Sequence, residues 1–206
     1  MLAIIQAAGW PIYPLILASI ISVALIIERF ITLRDAKIVP PSLLDQVLKV
    51  FESQGVTEDV LNKLAQDSPL GQVLAAGLRN YKGSRYVMKD AIEEAGRAVA
   101  HGLERFLTTL GTIATASPLL GLFGTVIGMI EIFGAQSPTT GSNPEQLAHG
   151  ISIALYNTAF GLIIAIPALM FYRYFRGQVD AYIVELEQSA ETLLPHLLRV
   201  SASPRR

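Results

Sequence analysis

Hydroxyl side chains, rather than acids or imidazoles, recur at regular spacing in the apolar parts of this sequence. Thr108, Thr112 and Thr115 follow at steps of four and three, so one helix face would carry all three. Gly121, Gly124, Thr125 and Gly128 continue the run after Ser117-Pro118. A second stretch, IALYNTAFGLIIAIPAL, places Ala154, Thr158, Gly161, Ala165 and Ala168 at steps of four, three, four and three. A stripe of small residues lets helices approach closely in lipid. A threonine within it can bond to its own helix backbone. It can equally line a wetted path, and the residues alone leave both roles open for Thr125 and Thr158.

Other chemistries find no constellation. His101, His149 and His196 are scattered, and none has a second histidine or carboxylate at metal-ligand spacing. Glu93-Glu94, Glu185 and Glu187 sit on helical patterns meant for water. Cysteine is absent, which removes thiolate sites and disulfides. Neither a glycine-rich phosphate loop nor a nucleophile elbow is present. No enzyme activity, metal or cofactor is therefore expected, and without a basic stripe no nucleic-acid partner either.

The elements that must position the threonines follow from charge. Of the 206 residues, 51% are hydrophobic and 16% charged, against about a quarter charged in soluble domains. Residues 1–27, 106–130 and 150–172 contain no Asp, Glu, Lys or Arg. About 20 helical residues cross a hydrocarbon core, so each run is long enough to span. The fold class expected is an all-α integral membrane protein with three transmembrane helices. The first run lacks a basic stretch before it and a small-x-small site after it, and reads as a retained anchor. The first span is bulky and β-branched and suits lipid, whereas Pro118 and Pro167 permit kinks in the other two.

Within these spans the only acids are Glu28, at one end of the first, and Glu131, at one end of the second. A titratable group at mid-membrane is costly and is retained for function. The chain therefore reads as a wall without its own central proton carrier. Either it conducts nothing, or the carrier comes from another chain.

Direction follows from the basic residues. Eleven of the 16 Lys and Arg lie between Arg29 and Arg105, and the other five follow the third span. Cytoplasmic flanks retain Lys and Arg, which places the N-terminus and the loop at Ser137 to Asn143 outside. Trp10 and Tyr13 would mark the outer interface, and Phe171 to Phe175 with Arg173 the inner one. The divisions expected are 1–33 for the outer N-terminus and first span, 34–105 for a cytoplasmic helical connection, 106–133 for the second span, 134–149 for the outer loop, 150–175 for the third span and 176–206 for a cytoplasmic tail.

In the connection, Pro40-Pro41, Gly55 and Ser68-Pro69 separate helices at 42–54, 57–66 and 70–81, with Ser42 and Thr57 as N-caps. These pieces are too small for a domain of their own and should pack on extensions of the spans. Met88, Ile92, Ala95, Val99, Leu103 and Phe106 form one such apolar seam, running straight into the second span. Val179, Ile183, Leu186, Ala190, Leu193 and Leu197 form another beyond the third.

SPLLGLFGTVIGMIEIF in the second span and ISIALYNTAFGLIIAIPALMFY in the third, with IIERFITLR closing the first, resemble the MotA/TolQ/ExbB family of ion-driven stators, its ExbB-like members most. The resemblance implies a pentameric helical barrel in the bacterial inner membrane, with the second and third helices around a pore. It implies two copies of an ExbD/TolR-like single-span partner whose aspartate carries protons, and a TonB-like energy transducer. Energised transport driven by the proton-motive force would be the function. Thr125, in GLFGT, and Thr158, in NTAFGL, match the family's pore threonines. Ala154, Gly161, Ala165, Thr112 and Thr115 are expected to line the same pore. Many relatives carry a glutamate five residues before the second threonine, where this chain has Ile153. Transfer would then fall to water, the two threonines and the partner's aspartate, and Ser152 and Asn157 do not share the glutamate's angle.

Overall fold

The computed structural model describes residues 9–54, 57–134 and 144–202. Every regular element among them is an α-helix: α1 (Ile12–Thr32), α2 (Asp35–Ile38), α3 (Leu43–Gln54), α4 (Glu58–Asp67), α5 (Pro69–Arg79), α6 (Arg85–Glu104), α7 (Leu107–Gly134) and α8 (Pro144–Ala202). Three stretches are long and apolar enough to cross a membrane: Ile12–Thr32, Arg85–Gly134 and Leu147–Val200. The expected loop at Ser137 to Asn143 lies outside the described residues. The chain divides into two compact units, Met1–Arg29 with Phe106–Tyr174, and Phe30–Arg105 with Phe175–Arg206.

The first unit holds the apolar helices. Leu17 and Ile20 of α1, Leu119 and Ile130 of α7, and Leu155, Ile163 and Met170 of α8 are all exposed. Large apolar side chains turned outward on every helix are stable only where the surroundings are apolar too. Beside a few large residues such as Leu110, Ile132 and Ile164, α7 and α8 bury mostly small ones: Ala114, Ser117, Gly121, Gly124 and Gly128 on α7, and Ala154, Gly161, Ala165 and Ala168 with Asn157 on α8. α1 runs antiparallel to α7. The Trp10 ring meets Phe123 edge-on at 6.0 Å, and at the other end the Arg29 guanidinium lies 5.4 Å from the Phe106 ring centre. Arg29 is 3% exposed and is paired with Glu28 at 2.5 Å. Pro118 lies within α7 and Pro167 within α8, and both helices continue through them.

The second unit has a conventional apolar core. Leu74 and Leu78 of α5, Met88 and Ile92 of α6, and Leu193 and Leu197 of α8 are buried. Gly77 shows how closely they meet, since a Cβ there would lie 3.0 Å from Ile92 and 3.1 Å from Leu193. α5 thus packs on the α6 and α8 seams, and α4 packs on α5. Tyr182 ties α8 to the segment after α1, its hydroxyl donating to the Leu33 carbonyl at 3.3 Å and bonding to Asp35. Arg176 pairs with Glu104 at 2.9 Å.

Local expectations differ at three points. The expected N-caps Ser42 and Thr57 stand at their helix starts, but neither caps with its side chain. Ser42 has φ +66° and its hydroxyl accepts from the Gln46 amide at 3.0 Å, and Thr57 makes no side-chain cap bond. The side-chain caps are Ser68, accepting from the Gly71 N–H at 3.0 Å, and Ser84, accepting from Val87 at 3.3 Å. Finally, the α6 seam does not run unbroken into the second span. The helix ends at Glu104, Phe106 takes φ +66°, and α7 begins at Leu107.

Candidate functional site

α7 and α8 pair antiparallel through their small faces. A Cβ placed on Gly111 would lie 3.1 Å from the Tyr172 ring, and one on Gly161 would lie 2.6 Å from the Ser117 carbonyl oxygen. One on Gly121 would lie 2.8 Å from the Asn157 carbonyl oxygen, and one on Gly128 would lie 3.4 Å from the Ala154 methyl. Rising numbers on one helix meet falling numbers on the other. At Gly121 and Gly161 the backbones themselves meet, and dispersion rather than the hydrophobic effect holds such a pair in lipid.

This seam decides where the candidate residues go. Ala154 and Gly161 are buried in it against α7, and Ala165, one turn beyond Gly161, is buried on the same face of α8. Thr125 and Thr158 stand at its margin, each half-buried. Thr158 Oγ1 donates across the seam to the Gly121 carbonyl at 3.4 Å. That carbonyl belongs to the residue one helical turn before Thr125, so the two threonines stand about one turn apart along the pair. In an antiparallel pair, Thr125 beside Gly124 and Thr158 beside Asn157 fall on the same flank of the seam. Thr125 opens there into a groove lined by Val126, Met129, Ile130 and Phe133. Phe123, which receives the Trp10 ring, stands about 160° round α7 from Thr125 at ~100° per residue. α1 therefore touches a flank that Thr125 does not face.

Thr112 and Thr115 are exposed. The same helical period sets Thr115 about 80° and Thr112 about 140° from Thr125. The structure thus brings Thr125 and Thr158 together, keeps Thr115 on the neighbouring arc and turns Thr112 further away.

Thr158 apart, the hydroxyls at Thr112, Thr115, Ser117, Thr125 and Ser152 in these apolar segments bond to the backbone of their own helix. Thr112 donates to the Thr108 carbonyl at 2.8 Å, Ser117 to Ile113 at 2.7 Å and Ser152 to Ala148 at 2.9 Å, and Thr125 bonds to the Leu122 carbonyl. A threonine whose O–H is directed at its own helix keeps its oxygen lone pairs for an incoming donor. Such a group can accept from water or a protonated acid, but it cannot store a charge at neutral pH. Ile153, half-buried, supplies nothing ionisable at the level below.

Read from the sequence, Asn157 is only a polar neighbour that does not replace the glutamate, and its place in the seam is missed. Fully buried, it donates from Nδ2 to the Ile153 carbonyl at 3.1 Å, and its Cβ and Cγ lie 2.6 and 2.7 Å from where a Gly124 Cβ would stand. The signal was available: Gly150, Asn157 and Ile164 repeat every seven residues and mark the centre of the seam.

The model of the MotA/TolQ/ExbB proton channel family matches residues 65–188, more than half of the chain, including α7 and the apolar part of α8. The chain belongs to this family. An ExbB-like biopolymer transport protein of Synechocystis is 35% identical over 84% of this chain and 83% of its own length. The biopolymer transport protein exbB1 of Vibrio cholerae is 31% identical over 89% of this chain and 82% of its own. The Tol-Pal system protein TolQ of Haemophilus influenzae is 33% identical over 81% and 78%. The MotA/TolQ/ExbB assignment agrees with the three apolar helices and makes the protein a membrane component with a stator-like role in energised transport.

Proposed function

We propose that the chain is the pore-wall subunit of an ion-driven stator in the bacterial inner membrane. Five copies enclose a dimer of an ExbD/TolR-like single-span protein and pass the energy of the proton-motive force to a TonB-like transducer. Thr125 and Thr158 face the ion path, Thr115 borders it, and Thr112 lies towards its edge. Ala154, Gly161 and Ala165 stand one layer behind and hold the wall together. The partner's acid carries the proton, and the threonine oxygens accept from it or from water. The reading rests on one observation, the two threonines about one turn apart on one flank of a glycine-packed pair, with α1 on another flank.

The test is proton flux into liposomes holding the complex with its single-span partner. Thr158→Val keeps the shape of the side chain and removes its oxygen, and flux should fall at least about tenfold, as for loss of a proton-relaying group. Full flux in that variant, with assembly intact, overturns the role. The depth of the glycine seam also favours a second reading, a membrane scaffold whose small residues only pack helices. A scaffold would give no flux with any partner.

A further inference from the structure

We propose that α7 and α8 are held in a single register by two reciprocal pins, so that the wall they form does not slide during function. Asn157 of α8 fills the notch at Gly124 of α7, and Ile132 of α7 fills the notch at Gly150 of α8. The functional half of this inference rests on Thr125 and Thr158 lining the ion path.

The geometry of each pin is close. A Cβ on Gly124 would stand 2.6 Å from Asn157 Cβ, and one on Gly150 would stand 2.0 Å from Ile132 Cγ1. Ile132 is 8% exposed and Asn157 is 0%. Smooth seams of glycine and alanine slip easily, because each turn offers nearly the same surface, and displacement by one turn of about 5.4 Å is a known mode of helix rearrangement. On α7 the notches at Gly121, Gly124 and Gly128 recur at steps of three and four, so Asn157 alone could settle in any of them. Ile132 chooses among them. Slipped one turn either way, it would meet Ala154 or Leu147 in place of Gly150. Both pins fit only in the register observed, and that register puts Thr158 against the Gly121 carbonyl, one turn from Thr125. A side chain that specifies register rather than adding stability is a known use of a buried polar residue in a helix seam. Asn157 and Ile132 are thus positioning residues, and ion transfer proceeds past a wall of fixed register.

The chain has no cysteine, so an introduced pair supplies its only thiols in the intact complex with its partner. Gly128→Cys with Ala154→Cys reports the native register, since the built Cβ of residue 128 lies 3.4 Å from that of Ala154, near the disulfide range of about 3.5–4.5 Å. This pair should crosslink readily in the parent chain. Asn157→Ala, which removes the knob, and Gly124→Val, which fills the notch, should each lower the yield about tenfold. Exchanging the pin, as Gly124→Asn with Asn157→Gly, should restore it. Asn157→Leu, similar in shape, should retain it. Proton flux read on the same samples should fall and recover with the crosslink. Undiminished crosslinking in Asn157→Ala and Gly124→Val overturns the pins. Lost crosslinking with normal flux overturns their role in positioning the threonines. Failure of the ion-path reading is separate, since full flux in Thr158→Val leaves every crosslinking outcome unchanged.

Discussion

A methyl group added at Gly161 would press on the Ser117 carbonyl oxygen at 2.6 Å, and a backbone atom inside a helix cannot swing aside. Gly161→Ala should therefore destabilise the α7–α8 pair by roughly 1–3 kcal/mol, the range for overpacking a tight interface. Gly177, also within α8, has open space where its Cβ would be. There the helix propensity of alanine should dominate, and Gly177→Ala should stabilise by up to about 1 kcal/mol. Denaturant titration of the purified protein measures both, and equal effects at the two sites would contradict the packing. The two residues look alike in the sequence, each a helical glycine near aromatic or apolar neighbours. What separates them is the Ser117 carbonyl, 44 positions earlier in the chain, and no local pattern reports it.

At the scale of elements, the junction between α6 and α7 departs most from its sequence pattern. Met88, Ile92, Val99 and Leu103 are buried as their spacing requires, and neither proline nor glycine stands at Arg105-Phe106, where the helix breaks. The helix ends because Phe106 takes φ +66°, a conformation costing roughly 1–2 kcal/mol for a residue with a Cβ. The contact of its ring with buried Arg29 of α1 offsets part of that cost. Phe106→Ala keeps the strain and loses the ring, while Phe106→Gly loses the ring and relieves the strain. The glycine variant should be the more stable of the two by about 1 kcal/mol, read as a difference in unfolding midpoint, and the reverse order would remove the strain argument. The helices at 43–54, 58–67 and 69–79 were legible to within two residues, because Pro40-Pro41 and Ser68-Pro69 are strong local punctuation. The cap at Thr57 was legible in position only. Its side chain, exposed to solvent, makes no bond to the first turn.

For the whole molecule, the distribution of Lys and Arg argues that the segment between α7 and α8 faces outward and that the segment joining α1 to α7 faces inward. Single cysteines test this cleanly in a chain that has none. Ser142→Cys should react with a membrane-impermeant thiol reagent added to spheroplasts, and Ser84→Cys should react only after lysis; the opposite pattern inverts the proposed topology. Three apolar spans and their order were legible in the sequence alone, because a charge-free run of 23 residues is long enough to cross the hydrocarbon core as a helix. The family motifs were legible for the same reason, being short and continuous. The tertiary structure decided what the small residues do. Glycine and alanine at steps of three and four give one pattern whether they face water, lipid or another helix. Only the backbone of α7, arriving within contact distance, buries Ala154, Gly161 and Ala165 in a seam and leaves Thr125 and Thr158 together at its edge.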